Sequence, residues 1–584
     1  MHAYPDEKAE TPAQCLPEVA ALLRSVDNLP RFERIQRMSR LEAYYRGCQY
    51  DDRPYNWDGS WADDTVSAEA VGVPQFPSGY VPVRHRKPPV EVKLGRKIVH
   101  ARTSMVFAGG FPEVNVDGDE DTADFLRAVV VAAKIPKKAR QHRNLGGAMG
   151  AVAVSYGWKR GLPFVEVHSA KLLHVLAWED RAERIPRHVV KVWCATERGV
   201  DAEGRYVEGM VWYAREWLGP APADEFSMTE AGPAEALGVE RVYRYFDRTK
   251  TEPPRWVVLS EGPLYECPVV WTDNVDADER EDGEGDFEGM EGTIDEANVV
   301  LGATTGGTAR NVDPTLVVKL DPAMNPGKLR KGDHNTIFAP GGAEYLQLAS
   351  DGVKAGLDTF SALKSLGLEQ ADVTEFDPEK MTGAAQSGEA LRRLMQPFIA
   401  VCDGLRENYG EAWVRVLRGL WRLAIYLLAA PEQDVPLLDA TGKPVVGPDG
   451  AVRTQRVRFE LRLPPRVERD PSNGEIAETE DRVPGKGGDV SLTWHDYVAM
   501  TAQDKQMVAT LIGTALGGKA FIQLRTAVKA AKNLDLLPIE DIDEEVEAIV
   551  DDTERIADAN AGSLGMLAGG GPKPGAAPKK SKED

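Results

Sequence analysis

"SGEALRRLMQPFIAVCDGLRENYGEAWVRVLRGLWRLAIYLLAA" occupies residues 387–430, and its reading decides the architecture. From Phe398 onward, Val401, Leu405, Tyr409, Ala412, Val416, Leu420, Leu423 and Leu427 recur at spacings of three or four. That is one unbroken apolar stripe along a helix. Fully helical, the stretch would extend for ~66 Å. Pro397 has no N–H to donate, so a kink is expected near Gln396. Arg415, Arg418 and Arg422 interrupt the apolar part and leave only 423–430 free of charge. A membrane-spanning helix needs roughly 20 apolar residues. The sequence therefore predicts an amphipathic helix, and no membrane partner.

Immediately upstream, "KMTGAAQSGEALRRL" (380–394) carries Gly383 and Gly388 at the glycine spacing of a phosphate-binding P-loop. Such a loop needs Lys and then Ser or Thr after its second glycine. Glu389 and Ala390 stand there instead, a carboxylate that repels phosphate and a methyl that cannot hold Mg²⁺. The preceding "VTEFDPEK" (373–380) is acidic and contains Pro378, so no buried strand leads in. Nucleotide binding is not expected, and the glycines need another explanation.

The 584 residues are enough for several compact units, and 42% apolar content is enough for real cores. Cys15, Cys48, Cys194, Cys267 and Cys402 lie far apart without a CxxC pair, which argues against a disulfide framework or zinc site. The first residues, "MHAYPDEKAETPAQ", show no signal-peptide apolar core. The net charge is −22, but it is local. Residues 271–300 hold twelve acids and one Arg, and 537–560 hold ten acids and one Arg. Those balances of −11 and −9 leave −2 for the remaining chain. The charge pattern predicts a solvated linker and a solvated helix face. "DEREDG" (278–283) puts Arg280 inside what would be an EF-hand ligand pattern, so no calcium loop is expected.

Catalytic patterns are scarce. The nine histidines form no HExxH, and no Ser sits in GxSxG. His168 and His174 are six apart and do not share a helical face; they read as surface or core histidines. "NLGGAMG" (144–150) lacks the GxGxxG spacing and reads as close backbone packing. No catalytic residue, metal ligand or cofactor is expected.

The remaining pattern is α+β. Helices are expected over 31–46, stopped at Gly47, and over 93–110, again ending in glycine. Residues 48–90 read as loop. From 150 to 270, "GAVAVSYGW", "PFVEVH", "HVVKVWC", "VWYAREW", "RVYRYFD" and "RWVVLS" predict a mostly antiparallel sheet. Residues 289–307 and 352–370 read as helices flanking short strands at 315–320 and 335–340. Residues 456–463 read as a half-buried strand, 491–558 as helical, and 561–584 as a disordered tail.

This ordered set resembles the portal proteins of tailed bacteriophages, which form a ring at one capsid vertex. "LEAYYRG" (41–47) is similar to the family's first helix, and "IVHARTSMVFAGGFPEV" (98–114) to its second segment. "YECPVVWTDN" (265–274) resembles the strand leading to an Asn, and "EGMEGTIDEAN" (288–298) the start of the stem helix. "AAQSGEALRRL" (384–394) is like the opening of the family's long helix. The resemblance covers about residues 31–558. The 48–90 and 213–240 segments look longer than a minimal portal needs, and the 431–455 loop is elaborate.

The resemblance implies a flexible N-terminus (1–30), a wing (31–283) ending in an acidic linker, a first stem helix (284–308) and a clip (309–351). A second stem helix (352–373), a tunnel loop (374–388), a long kinked helix (389–430), a β return to the wing (431–490), a helical crown (491–560) and the tail would follow. The tunnel loop would present Lys380, Thr382, Gly383, Ala384, Ala385, Gln386, Ser387 and Gly388, with Pro397 as the hinge beyond it. The small residues would let neighbouring copies crowd around a channel. Lys319, Lys328, Arg330 and Lys331 would dock the clip on an acidic partner, and Lys354 and Lys364 are the channel-facing candidates of the stem.

The implied protein is a twelve-fold ring, assembled in the host cytoplasm and placed at the portal vertex of the virion. It conducts double-stranded DNA during packaging and ejection. Its partners would be the packaging motor (terminase), the major capsid and scaffold proteins and a head-tail adaptor. Residues 309–430 hold 14 basic and 15 acidic side chains, a balance that suits a conduit gripping DNA weakly. Two other classes remain open at this point: a nucleotide-driven packaging ATPase, and a capsid adaptor without a channel.

Overall fold

In a computed structural model, the chain is mixed helix and sheet, an α+β protein. The structure describes residues 29–51, 53, 55–56, 81–200, 206–220, 238–246, 255–276, 280, 282–312, 315–318, 343–346, 350–374, 392–429, 432–436, 454–458, 460–464, 466–469, 476–480, 482–497, 528–529 and 545–551. They fall into two compact units. The larger comprises Met1–Phe376 with Gln396–Tyr497. The smaller comprises Asp377–Met395 with Val498–Asp584; in it, 392–394, 528–529 and 545–551 are helical and Met395 is a turn.

The larger unit opens with α1 (Leu29–Arg46), which stops where Gly47 takes φ +72°. Helix α2 (Leu94–Val106) runs into a turn at Gly109 and Gly110, both at positive φ. β1 (Glu113–Val116) leads to α3 (Glu120–Ala132) and α4 (Ile135–Met149), two helices absent from the sequence reading. Asp119 caps α3, its Oδ1 accepting from the Thr122 N–H at 3.1 Å. Pro136 sits in the first turn of α4, and Gly150 at φ +89° ends it. A Cβ at Gly150 would overlap the Gly283 carbonyl, one at Gly146 the Tyr409 hydroxyl, and one at Gly147 Arg143 and Asp286. The glycines of "NLGGAMG" are thus a close-packing feature.

Eight strands follow. β2 (Ala151–Lys159) is central in a three-stranded antiparallel sheet, between β3 (Leu162–Ser169) and β9 (Val269–Asp273). β4 (Leu173–Asp180), β5 (Ile185–Val200), β6 (Tyr206–Leu218), β7 (Gly238–Phe246) and β8 (Arg255–Leu264) form an antiparallel meander in sequence order. Of these only β4 was unforeseen. Met38 of α1, Ala148 and Met149 of α4, Ala151 and Ala153 of β2, Val269 and Trp271 of β9, and Leu173, Val189 and Trp217 from β4–β6 bury one shared core.

α5 (Glu291–Val312) and α6 (Ser350–Gln370) come next, and β10 (Thr315–Val318) and β11 (Ala343–Leu346) pair between them. β10 takes 343–346 as its partner, and the strand expected at 335–340 lies outside the described residues. Helix α7 (Gln396–Ala429) is about 51 Å long by its residue count. It buries Leu405, Tyr409, Trp413, Val416, Leu417, Leu420 and Ala424, against β2, β9 and α2. The turn at Met395 precedes it, so Pro397 occupies the first turn, where no N–H has an intrahelical acceptor to lose.

The return strands are short: β12 (Glu432–Pro436) with β13 (Thr454–Arg458), and β14 (Arg466–Arg469) with β15 (Ile476–Glu480). Only the first part of the expected 456–463 strand is regular, since 460–464 has no assigned structure. β16 (Val490–Thr493) pairs antiparallel with β1. It replaces the start of the helical stretch read from 491, because Val490 and Leu492 answer Val116 and Val114 nearly four hundred residues earlier. Among the described residues, no helix is long and apolar enough to cross a membrane.

Candidate functional site

The candidate site is the α5–α6 hairpin, its root in the larger unit, and the chain leaving it. The helices are antiparallel: Thr293 meets Gln370 (3.4 Å), and Thr304 lies against Gly356, where a Cβ would overlap its hydroxyl. On α5, Thr304, Thr305 and Thr308 donate to the carbonyls four residues back at 2.8–2.9 Å. Their polarity is spent within the helix, so "GATTGGT" (302–308) offers a neutral flank. On α6, Leu357 and Leu366 are 47% and 44% exposed. Nine residues apart, they stand half a turn out of phase, on opposite flanks of the helix.

The root overturns the expectation of a solvated acidic linker. Asp282 and Asp286 are buried, and the segment's carboxylates face a row of cations and phenols. Arg34 of α1 donates to both oxygens of Asp282 at 2.5 and 2.8 Å. Arg37 meets Glu288 at 3.0 Å and Arg40 meets Glu291 at 3.2 Å. Tyr44 and Tyr50 donate to the two oxygens of Asp295 at 2.8 and 2.7 Å. Positions 34, 37, 40 and 44 share a face of α1, so the helix is fastened along the segment leading into α5 and its first turns. Burial, and then the Asp295 bond, push both phenols well above their ordinary pKa. The aromatic pair of "LEAYYRG" divides its work: Tyr44 holds α5, and Tyr45 meets His100 of α2 at 3.1 Å. Asn298 completes the seam, accepting from the Val92 N–H at 2.7 Å.

Asp295→Ala would leave two phenol donors without their carboxylate. We expect a loss of about 2 kcal/mol, read as a lowered urea midpoint. A midpoint unchanged within error would show that the seam does not hold α1 to α5.

Deeper, Asp286 accepts from Arg102 (3.1 Å), from Arg143 with both oxygens (3.0 Å each) and from Asn274 (3.1 Å). Tyr409 of α7 donates to Asn274 Oδ1 at 3.0 Å, which fixes the orientation of that amide. Arg406 of α7 donates to the Val106 carbonyl at the end of α2 (3.0 Å). α2 and α4 thus meet on one carboxylate just before α5, and α7 is tied to it through Asn274.

Of the residues singled out from sequence, Lys354 is exposed and Lys364 half-buried on α6. Lys380, Thr382, Gly383, Ala384, Ala385, Gln386, Ser387 and Gly388 lie outside the described residues, as do Lys319, Lys328, Arg330 and Lys331. His168 and His174 are both buried. His168 lies 2.7 Å from Ser155, which resembles a nucleophile and base, but the protons run the other way. Lys191 has only donors and lies 2.9 Å from His168 Nδ1, so Nε2 carries the ring proton and donates to Ser155 Oγ. A histidine donating to a buried serine cannot activate it. Among the described residues no group of His, Cys, Asp or Glu could hold a metal.

Arg102, Arg143 and Asp286 were missed because charge was read by segment, whereas the partners are 143 and 184 residues apart in sequence. The available signal was an acid framed by glycines, "GEGDFEG" (283–289), in which Gly283 packs against the Gly150 backbone. No family model matches the chain, and no curated protein matches it.

Proposed function

We propose that this chain is a portal-type subunit that closes into a ring and conducts double-stranded DNA at a capsid vertex. The motor that hydrolyses ATP, the capsid and scaffold proteins and a head-tail adaptor dock on it from outside. The observation that supports this reading is the α5–α6 hairpin. It is fastened to the larger unit at one end and carries an exposed leucine on each flank of α6. A head-to-tail ring requires two different surfaces on each copy, each meeting the other on the next copy, and in this reading the two flanks of α6 belong to those surfaces. Its neutral threonine and glycine run suits passage of a polyanion without a salt-dependent grip. The loop 374–388 and the clip cations Lys328, Arg330 and Lys331 belong to this reading through the family resemblance alone.

Purified protein imaged in negative stain should show closed rings with a central hole, and sedimentation should show one large species. Monomer alone at high concentration would overturn the proposal. Mg²⁺-dependent ATP turnover by the purified chain would replace it with the motor reading.

A further inference from the structure

α6 ends in a turn that a non-glycine residue closes. The Asp372 N–H bonds to the Glu369 carbonyl at 2.9 Å and the Val373 N–H to the Leu368 carbonyl at 2.8 Å, the pattern of a Schellman cap. The pattern puts its left-handed residue at Asp372, which has φ +49°. Glycine is the usual occupant there, because a side chain is crowded in that region. Between these bonds sits the carbonyl of Ala371, a buried residue, and Arg102 Nη2 donates to it at 2.7 Å. The same guanidinium reaches Asp286 through Nη1 at 3.1 Å, and its Nε has no partner. Asp286 Oδ1 accepts from Arg102, Arg143 and Asn274 together, more donors than one oxygen serves well. Arg102 is therefore bonded most closely at Ala371, while its Asp286 oxygen is shared and its Nε is unpartnered.

We infer that Arg102 is a latch on the exit of the chain from α6. Closed, it grips the Ala371 carbonyl and holds Asp372 left-handed, which fixes the direction in which residues 373 and 374 leave the hairpin. Open, its freed N–H turns to Asp286 Oδ2, which accepts from Arg143, Asp372 relaxes to the right-handed region and the cap comes apart. The left-handed aspartate supplies the force toward opening, and the short bond to a buried carbonyl opposes it. The latch lies wholly in the larger unit and is independent of the conduit proposal, since it is read in the isolated chain whether or not rings form.

The test is hydrogen exchange at the Val373 and Asp372 amides of the full chain. Arg102→Lys keeps a cation beside Asp286 but cannot span both acceptors; it should speed exchange at both amides about tenfold. Arg102→Gln is the second variant should the lysine form not fold. Asp372→Gly removes the left-handed penalty and should slow exchange about threefold. Combined with either Arg102 variant, it should recover part of the lost protection. Exchange at Val373 within twofold of wild type in a folded Arg102 variant would overturn the latch, as would Asp372→Gly failing to protect Val373 in either background.

Discussion

Asp286→Ala should cost about 3–5 kcal/mol, the largest single-residue loss expected in the chain. The carboxylate is the shared counter-charge of two guanidiniums: the Arg143 side chain is 0% exposed and that of Arg102 8%. Removing it leaves two buried cations with no anion near them, and breaking a buried pair costs far more than the pair contributes against an apolar replacement. Burial alone would lower the Arg143 pKa, yet the adjacent Asp286 holds it above the ordinary arginine value, so the guanidinium will not shed its charge to escape. The control is Asp489→Ala. Asp489 pairs with Arg418 at 3.3 Å, but its side chain is 89% exposed, so the expected change is below about 1 kcal/mol. Urea midpoints of the two variants decide the matter. A loss at Asp286 no larger than at Asp489 would mean that the cluster does not bind α2, α4, α7 and α5 together. Replacing Arg102, Arg143 and Asp286 together by Met, Met and Leu should recover much of the loss, since no uncompensated charge then remains.

The acidic segment shows where sequence reading stops. The β-rich pieces from 150 to 260 were legible because alternation and turn residues are local. Helix α7 was legible because its stripe is long, although burial chose Cys402, Trp413 and Leu417 alongside the expected Leu405, Tyr409, Val416 and Leu420. α4 was not legible. Its buried residues are Ile135, Ala139, His142, Arg143, Gly146, Gly147, Ala148 and Met149, so the middle turns bury polar side chains and glycines where an apolar stripe would be read. Its polar residues are inside because partners on distant elements receive them. β16 was hidden for a related reason: four residues have no identity as a strand until β1 answers them. In the candidate site, the hairpin and its order in the chain were readable. The seam from α1 was not, because charge counted along a segment cannot reveal arginines 248 and 251 residues away.

Stability should fall steadily as pH drops from about 6.5, with two buried histidines responsible. His142 is fully buried, has no hydrogen-bond partner for either ring nitrogen, and stands edge-on to Tyr409 and Trp413 at 5.0 and 5.6 Å. Burial, and then the neighbouring Arg143, push its pKa down to about 3. His168, buried and accepting from Lys191, is pushed down to about 3 by burial first and Lys191 second. Unfolded, both would titrate near the ordinary value of about 6.5. The folded pKa is the lower one, so the unfolded chain binds more protons between about 6.5 and about 3. The contribution is complete above the unfolded pKa and is lost as pH falls through that window, at up to about 1.4 kcal/mol per pH unit for each ring. Asp273 works in the opposite sense. Burial raises it to about 6 against the pull of Arg184, so its contribution is largest in acid and is lost as pH rises toward 6. Between pH 4 and 6 it cancels about one histidine. From these three groups the wild-type slope there should be close to one proton rather than two, with Glu166 and Glu216, both held below the ordinary carboxylate range, adding to it toward pH 4. His142→Leu should flatten it toward zero, and Asp273→Asn should steepen it toward two. Urea midpoints taken from pH 4 to 8 provide the slopes. Equal slopes in wild type and His142→Leu would mean that His142 is protonated in the folded chain, and the account of its burial would fail.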